Sequence, residues 1–185
     1  MRRPGGTTVG AVIFAGVALA SSPARAGDDD PRYVPVARFG MGTAVSDAGA
    51  TLAIPVGAGF TAFDRREEIG VVYGAEVGTW LAFLHPQTYL FTATVGVGFG
   101  NQMVALTYQP RFLIGERRDE YALGMRNSLV GRFFYDAINV EVGHQFLVTQ
   151  EHDLYRDQFV FEVSVNMVGV FVGLFDQLAG IGGGG

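Results

Sequence analysis

Three histidines, at positions 85, 144 and 152, are the residues of this chain that could activate a nucleophile. Such catalysis needs a serine beside the histidine and an acidic group that orients the imidazole. His85 lies in a His-Pro-Gln turn, and His152 lies between Glu151 and Asp153. We interpret both as solvated loop residues, which leaves His144 as the candidate for chemistry.

His144 lies in a segment that alternates between apolar and polar residues, and it falls on the apolar side. Hairpin registers estimated from the turn centres place Asn127 beside it. The residue two positions later is Phe146, while Ser128 and Ser164 fall on the polar side. Because the nucleophile is missing where His144 would need it, we predict no catalytic activity. We expect His144 and Asn127 to share a hydrogen bond instead.

The sequence signals of other ligand sites are missing. The chain contains no cysteine, shows no metal-ligand spacing, and has a net charge of −5. The glycine pair Gly96-Val97-Gly98 precedes no helical pattern, so it does not indicate a dinucleotide site. We therefore expect no metal, no cofactor and no nucleic-acid partner.

A set of polar side chains shares one side of the alternating segments and predicts a polar network in the interior of the fold. Charges held there must be paired, because burying an isolated ion costs far more than burying a paired one. The network has two interpretations, a gate along a narrow ion path or an ion-paired plug that fixes the shape of the fold. Its predicted members are Arg38, Glu76, Gln109, Arg111, Arg126, Arg132, Glu141, Gln145, Glu162 and Asn166.

The estimated registers divide this network into groups. They place Gln109 opposite Arg126, Arg126 opposite Gln145, and Gln145 opposite Glu162. The remaining groups are Arg132 with Glu141 and Asn166, and Arg38 with Glu76 across Pro55 and Gly57.

Strands are needed to position these side chains. Period-two alternation, broken by turn residues, recurs along the chain and predicts eight strands. All reach the roughly 9–11 residues that a tilted strand needs to cross a bilayer. The connections are short, so consecutive strands are expected to be antiparallel neighbours. The segments are about 33–44, 50–62, 69–84, 87–99, 102–115, 120–133, 137–149 and 158–174.

Side-chain volume decides which side of the strands faces inward. The interior of an eight-stranded barrel is just wide enough for side chains to fill it. The apolar side carries most of the aromatic residues, whereas the other side supplies Gly, Ala, Thr and a few long polar groups. We therefore predict a closed antiparallel up-and-down transmembrane β-barrel whose apolar face points into lipid.

The beginning and end of the chain differ from this pattern. Residues 1–26 have the charged start, apolar core and Ala24-Arg25-Ala26 site of a cleaved signal peptide. Residues 27–175 then form the predicted barrel domain. Phe175 is expected to close the last strand, and residues 176–185 are expected to form a flexible glycine-rich tail.

With these features the chain resembles the small eight-stranded outer-membrane β-barrel family, which includes the transmembrane domain of outer-membrane protein A. The resemblance covers nearly all of the mature chain, but the glycine-rich tail departs from a family that usually ends on a terminal aromatic. The resemblance implies a porin-like protein of the Gram-negative cell envelope, exported to the outer membrane, with a structural or narrow-pore role. The implied partners are outer-membrane lipid and the barrel-assembly machinery, and we expect a monomer. Two alternatives are an outer-membrane lipid-modifying hydrolase and a secreted lipocalin-like ligand-binding barrel.

Overall fold

A computed structural model describes residues 31–46, 49–64, 68–82, 87–117, 120–149 and 156–182. The signal-peptide prediction for residues 1–26 falls outside this part of the chain. No helix among the described residues is long and apolar enough to cross a membrane. The strands are β1 (Arg32–Ser46), β2 (Gly49–Phe63), β3 (Gly70–Ala82), β4 (Thr88–Gly100), β5 (Val104–Arg117), β6 (Glu120–Phe133), β7 (Ile138–Thr149) and β8 (Arg156–Asn166).

Each strand pairs with the next in an antiparallel ladder, and β8 pairs back onto β1 from Arg38↔Asn166 to Val45↔Phe159. The chain is a closed eight-stranded up-and-down β-barrel. This confirms the predicted fold class, and seven of the predicted segments agree with strands β1 to β7 to within about two residues. Arg32, Asn166 and the turns after β2, β4 and β6 lie at one end, which we call the N-terminal end.

The alternation along each strand separates two environments. On β5, Gln109, Arg111 and Leu113 point inward and are buried, whereas Tyr108 and Phe112 point outward and are exposed. Every one of the eight strands carries large exposed apolar side chains on its outer face. The outward orientation of the apolar side is therefore confirmed.

The interior contains more apolar bulk than we predicted. A cluster at the end opposite the N-terminal end includes Trp80, Leu90, Leu113 and Leu147, none more than 2% exposed. Phe63 lies in a second interior cluster, with Val34, Val72 and Ala105, at the N-terminal end. Apolar side chains fill a narrow interior at a lower cost than polar ones, because they bring few groups that need hydrogen bonds.

The eighth strand is shorter than predicted, because a helix, α1 (Met167–Gly182), replaces its second half. The last β7–β8 pair is Ile138↔Val165, so β8 has no β7 partner beyond that point. Backbone groups without a strand partner are satisfied within a helix. The Val168 amide donates to Asn166 Oδ1 at 3.2 Å, the arrangement of a helix N-cap.

The predictions for the C-terminal residues are corrected accordingly. Phe175 lies in α1 and closes no strand, and residues 176–182 are helical although we predicted them as part of a flexible tail. Helix α1 packs on the N-terminal end of the barrel, where a Cβ on Gly169 would lie 2.6 Å from the Tyr135 carbonyl oxygen. The guanidinium of Arg32 stacks over the ring of Tyr135, 5.1 Å from its centroid. The helix is therefore seated on the turn between β6 and β7.

Candidate functional site

Four charged side chains form a compact layer near the middle of the barrel. Arg111 and Arg126 occupy paired positions on β5 and β6, and Glu141 and Glu162 occupy paired positions on β7 and β8. Arg111 contacts Glu141 at 2.8 Å and Glu162 at 3.8 Å, while Arg126 contacts the same carboxylates at 3.3 and 2.5 Å. Each cation thus reaches both anions across the interior, and we call these four residues the quartet.

Neutral side chains add hydrogen bonds to Arg126 and Glu141 of the quartet. Gln145 Oε1 accepts from Arg126 Nε at 2.9 Å and from Arg126 Nη2 at 2.7 Å. The Ser128 hydroxyl donates to Glu141 Oε1 at 2.7 Å, and Gln145 Nε2 donates to Gln158 Oε1 at 2.9 Å. The Arg126 guanidinium also stacks over Trp80, 5.4 Å from the ring centroid. Arg126 is therefore held in a fixed orientation from several directions.

A second buried cluster surrounds the carboxylate of Asp136, in the turn between β6 and β7. Asp136 Oδ1 pairs with Arg132 and lies 3.7 Å from Arg38 Nη2. Asp136 Oδ2 accepts from the Thr61 hydroxyl at 3.0 Å and from Asn166 Nδ2 at 3.4 Å. One fully buried carboxylate therefore connects β1, β2, β6 and the end of β8.

The backbone that carries Asp136 is strained. Phe134, Tyr135 and Asp136 have φ values of 52°, 60° and 65°. These values lie in the left-handed region, which residues other than glycine rarely adopt. The Phe134 amide donates to the Met103 carbonyl at 3.0 Å and the Tyr135 amide to the Gln102 carbonyl at 2.6 Å. These contacts and the Asp136 carboxylate hold the turn in a conformation that costs free energy.

Arg38 extends the Asp136 cluster to Glu76 on β3. Its Nη1 lies 3.1 Å from Glu76 Oε2, in addition to the contact of its Nη2 with Asp136. A Cβ on Gly57 would lie 2.2 Å from Glu76 Oε1, so this glycine makes room for the carboxylate. The ion pairs of the two clusters contain four cations and four anions, so their formal charges sum to zero. They are Arg38, Arg111, Arg126, Arg132, Glu76, Asp136, Glu141 and Glu162.

Side chains fill the interior at this level. A cavity of about 10 Å³ lies between Arg38, Glu76, Arg111, Glu141 and Glu162. This is close to the smallest volume that holds one water molecule. An apolar cluster lies toward each end of the barrel, and at the N-terminal end it shares the interior with the Asp136 cluster.

The ten side chains predicted for the interior network all point inward and are largely or completely buried. The registers are partly right: Arg126 does face Gln145, and Arg38 does meet Glu76 across Gly57. Gln109 faces Ser128 rather than Arg126. We estimated the centre of the turn between β5 and β6 one residue too early, which shifts the strand pairing by two residues. A shift of two residues leaves every side chain on the same face of the sheet.

Two further placements in the network are corrected. Gln145 faces Gln158 rather than Glu162, because the turn centre in the β7–β8 connection was estimated two residues too late. Glu141 belongs to the quartet and not to the group of Arg132 and Asn166. The Asn166 side chain also joins the end of β8 to β1. Its Oδ1 accepts from the Ala37 amide at 2.9 Å, and its Nδ2 donates to the Pro35 carbonyl at 3.1 Å.

Several interior residues were not predicted as members of the network. Asp136 appeared in the sequence only as part of a Tyr-Asp turn, and turns are ordinarily solvated. Thr61, Ser128 and Gln158 share the inward side of their strands, so their parity was the available signal. The sequence contains no signal for the burial of Asp136, which follows from barrel closure.

His144 lies on the outer wall, paired in register with Asn127 as predicted. The expected hydrogen bond between them is replaced by other contacts. The Tyr108 hydroxyl donates to Asn127 Oδ1 at 2.7 Å, and His144 Nε2 lies 3.5 Å from Asp157 Oδ1. Ser128, one of the two serines considered as nucleophiles, is buried inside the barrel on the opposite face, as is Ser164.

Neither a protein-family model nor a curated protein sequence matches this chain. Among solved structures, the crystal structure of Neisserial surface protein A is similar, with 11% sequence identity and a TM-score of 0.37. The similarity covers 74% of this chain and 99% of that chain. The assignment of the fold rests on the strand pairing of this chain itself.

Proposed function

We propose that the chain is a bacterial outer-membrane protein whose barrel spans the membrane as a sealed, structural element without catalytic activity. The observation that carries the proposal is the distribution of polarity. Large apolar side chains are exposed on the outer face of all eight strands, while eight charged side chains, each in an ion pair, lie inside. That is the reverse of a soluble barrel, which places its apolar face inward.

The size of the exposed apolar surface argues against the lipocalin-like alternative. Val95, Phe99 and Phe112 are 63%, 69% and 62% exposed, and comparable residues surround the wall. Soluble monomers rarely expose contiguous apolar patches beyond a few hundred Å². In lipid the same surface is favourable, and closure of the sheet leaves no unpaired strand edge in hydrocarbon.

Aromatic side chains near the two ends of the wall also support a membrane location. Tyr33, Phe60 and Phe99 lie toward the N-terminal end, and Tyr89 and Tyr121 toward the opposite end. Transmembrane barrels carry such belts at both membrane interfaces. The signal-peptide pattern of residues 1–26 provides the export route to the outer membrane.

If the barrel spans the membrane, the protein is expected in the outer-membrane fraction and should be extracted by detergent but not by salt or carbonate. A closed barrel resists SDS at room temperature, so the unheated sample should migrate differently from the boiled sample on a gel. A soluble periplasmic protein serves as the fractionation control. Recovery of the mature chain as a soluble monomer in detergent-free buffer would contradict the proposal.

The sealed interior leads to a separate expectation for ion conduction. Folded protein reconstituted into planar bilayers is expected to show no stepwise current, because paired side chains leave a cavity of only about 10 Å³ in the charged layer. Wide aqueous channels occur in barrels with more strands. A larger porin under the same conditions provides the positive control, and boiled protein the negative one. Reproducible current steps from the folded chain would favour a narrow pore over a plug.

A further inference from the structure

Helix α1 (Met167–Gly182) carries four large apolar side chains on one face, and we call them the apolar stripe. The stripe consists of Met167, Phe171, Leu174 and Phe175. At 3.6 residues per turn these positions fall within an arc of about 100° of the helix. Their side chains are between 51% and 69% exposed. A helix of a globular protein ordinarily turns such a face toward a core, so the stripe needs another apolar environment.

The opposite face of α1 is packed against the barrel. Gly169 and Gly173 lie on that face, and a Cβ on Gly169 would lie 2.9 Å from the Ala137 amide nitrogen. A Cβ on Gly173 would lie 3.1 Å from the Tyr135 ring. The two glycines let the helix approach the turn between β6 and β7 closely. The rotation of α1 about its own axis is therefore fixed, with the stripe directed away from this turn.

The helix continues in the place in the wall that β8 leaves. Strand β8 lies between β1 and β7, and α1 likewise packs against β1 and against residues 135–137, which lead into β7. Met167 continues the outward alternation of Val163 and Val165, and all three are exposed. The stripe is therefore continuous with the outer wall, which contacts lipid if the proposed function is correct.

The start of the stripe lies at the depth of the aromatic belt. Phe171 follows the last β1–β8 pair, Arg38↔Asn166, by five helical residues, or about 8 Å of rise. Tyr33, which belongs to the belt, lies five strand residues beyond the same pair, or about 16 Å along β1. Strand tilt reduces that depth to about 12 Å, which is still beyond Phe171. Met167 and Phe171 therefore lie within the depth that the belt marks.

The composition of α1 indicates which part of the lipid it contacts. Asp176 is the one ionisable residue between Met167 and Gly182, so the helix has no basic side chain for an anionic headgroup. The exposed groups of the stripe are aliphatic, thioether and phenyl groups, which acyl chains solvate. Helices that lie in the membrane interface bury such a face about 5–10 Å into the boundary between headgroups and acyl chains.

We propose that α1 is an interfacial helix, with its apolar stripe immersed in the acyl-chain boundary of the leaflet at the N-terminal end of the barrel. Its contact with lipid is apolar and is independent of headgroup charge and of salt. Basic amphipathic helices differ in this respect, because anionic lipids strengthen their binding. Immersion also keeps α1 seated on the turn that contains the buried Asp136.

Fluorescence quenching in phosphatidylcholine vesicles tests the immersion. The chain contains no cysteine, so an environment-sensitive fluorophore is attached to one of three single variants. These are Phe171→Cys on α1, Val95→Cys in the middle of the wall, and Asp64→Cys in the exposed turn after β2. The Phe171→Cys probe is expected to be quenched more by a nitroxide near the headgroup end of the acyl chain than by one at its far end. Val95→Cys should show the reverse order, and iodide should quench only Asp64→Cys.

The three probes separate this proposal from the proposed function on which it rests. If lipid nitroxides quench Val95→Cys while Phe171→Cys behaves like Asp64→Cys, the barrel is embedded and the interfacial helix is wrong. If lipid nitroxides do not quench Val95→Cys either, the proposed function itself fails.

The same probe distinguishes lipid from a protein that covers the stripe. Shielding of Phe171→Cys that disappears when each vesicle holds at most one barrel would assign the contact to a second copy and overturn the proposal. Shielding that depends on anionic lipid or on low salt would contradict the apolar contact. Shielding that is unchanged by dilution, by high salt and by anionic lipid would support it.

Removal of the apolar groups provides the second test. The double variant Phe171→Gln with Phe175→Gln is expected to speed amide hydrogen exchange over the first two turns of α1 in vesicles about tenfold. Glutamine is a good helix former, so faster exchange reports the lost lipid contact and not a lower helix propensity. The gel shift between unheated and boiled protein should persist, since both side chains are exposed.

The double variant Phe171→Leu with Phe175→Leu is the matched control. It keeps apolar groups at both positions, so its amide exchange should stay close to that of the wild type. Equal exchange rates in the glutamine and leucine variants would show that the stripe gains nothing from lipid and would overturn the proposal.

Discussion

Replacement of Arg126 with methionine is expected to lower the free energy of unfolding by about 3–5 kcal/mol, the range typical of removing one partner of a buried ion pair. Arg126 is fully buried and contacts both carboxylates of the quartet. Without it, Glu141 and Glu162 face each other on paired positions with Arg111 as their shared cation. Methionine retains an unbranched apolar stem, so the loss reports mainly the missing charge.

A double-mutant cycle with Glu162→Gln separates charge from packing. The double variant leaves the Arg111–Glu141 pair at 2.8 Å, so charge balance returns to the layer. Its destabilisation is expected to be smaller than the sum of the single variants by about 1–3 kcal/mol. Urea titration in lipid vesicles, followed by gel mobility and by the single tryptophan, measures all four proteins.

Glu116→Gln is the control for this cycle, since it neutralises an exposed carboxylate on the outer side of β5 and should leave stability unchanged. Strict additivity of the Arg126 and Glu162 variants would mean that the two side chains do not interact in the folded barrel. A stability of Arg126→Met equal to that of the wild type would show that the quartet is not a structural plug.

The number of strands, their order and the direction of their side chains were predictable from the sequence. Period-two alternation is a local property, and the volume of the two faces decides which one fits inside a narrow barrel. For the same reason the interior location of Arg38, Arg126 and Glu162 was predictable from parity alone. Parity remains correct when the register is wrong by an even number of residues.

The registers and the C-terminal helix depended on contacts that local pattern does not contain. The turn centre that we estimated between β7 and β8 paired Gln145 with Glu162, whereas its observed partner is Gln158. Residues 168–172 continue an apolar pattern that suits a strand, but no β7 residue remains to pair with them after Val165. Tertiary context therefore selects the helix, and the Asn166 side chain caps it.

Asp136 shows the limit of sequence reasoning most clearly. Its partners Thr61 and Arg38 lie on β2 and β1, far away along the chain, and only barrel closure brings them to the turn. Phe134, Tyr135 and Asp136 have left-handed backbone conformations although none of them is a glycine, so the sequence does not predict this turn geometry. A strained turn that is held by a buried carboxylate becomes visible only in three dimensions.

Replacement of Asp136 with alanine is expected to destabilise the barrel by about 3–5 kcal/mol through the loss of a buried counter-ion. The substitution leaves Arg132 without its partner in the turn and removes the acceptor of Thr61 and Asn166. Alanine in the left-handed region adds about 1–2 kcal/mol of backbone strain. Because Asn166 caps α1, we also expect faster amide hydrogen exchange over the first turns of that helix.

Two companion variants separate charge from strain at the same position. Asp136→Gly removes the carboxylate but adopts the left-handed conformation freely, so it should be more stable than Asp136→Ala by about 1–2 kcal/mol. Asp136→Asn keeps an acceptor for Thr61 and tolerates this backbone, so its loss should be the smallest of the three. Urea titration in vesicles measures the series, and Asp64→Asn in the exposed turn after β2 is the control. Equal stability of the glycine and alanine variants would show that the turn stores no strain, and wild-type stability of the glycine variant would show that the buried carboxylate holds nothing together.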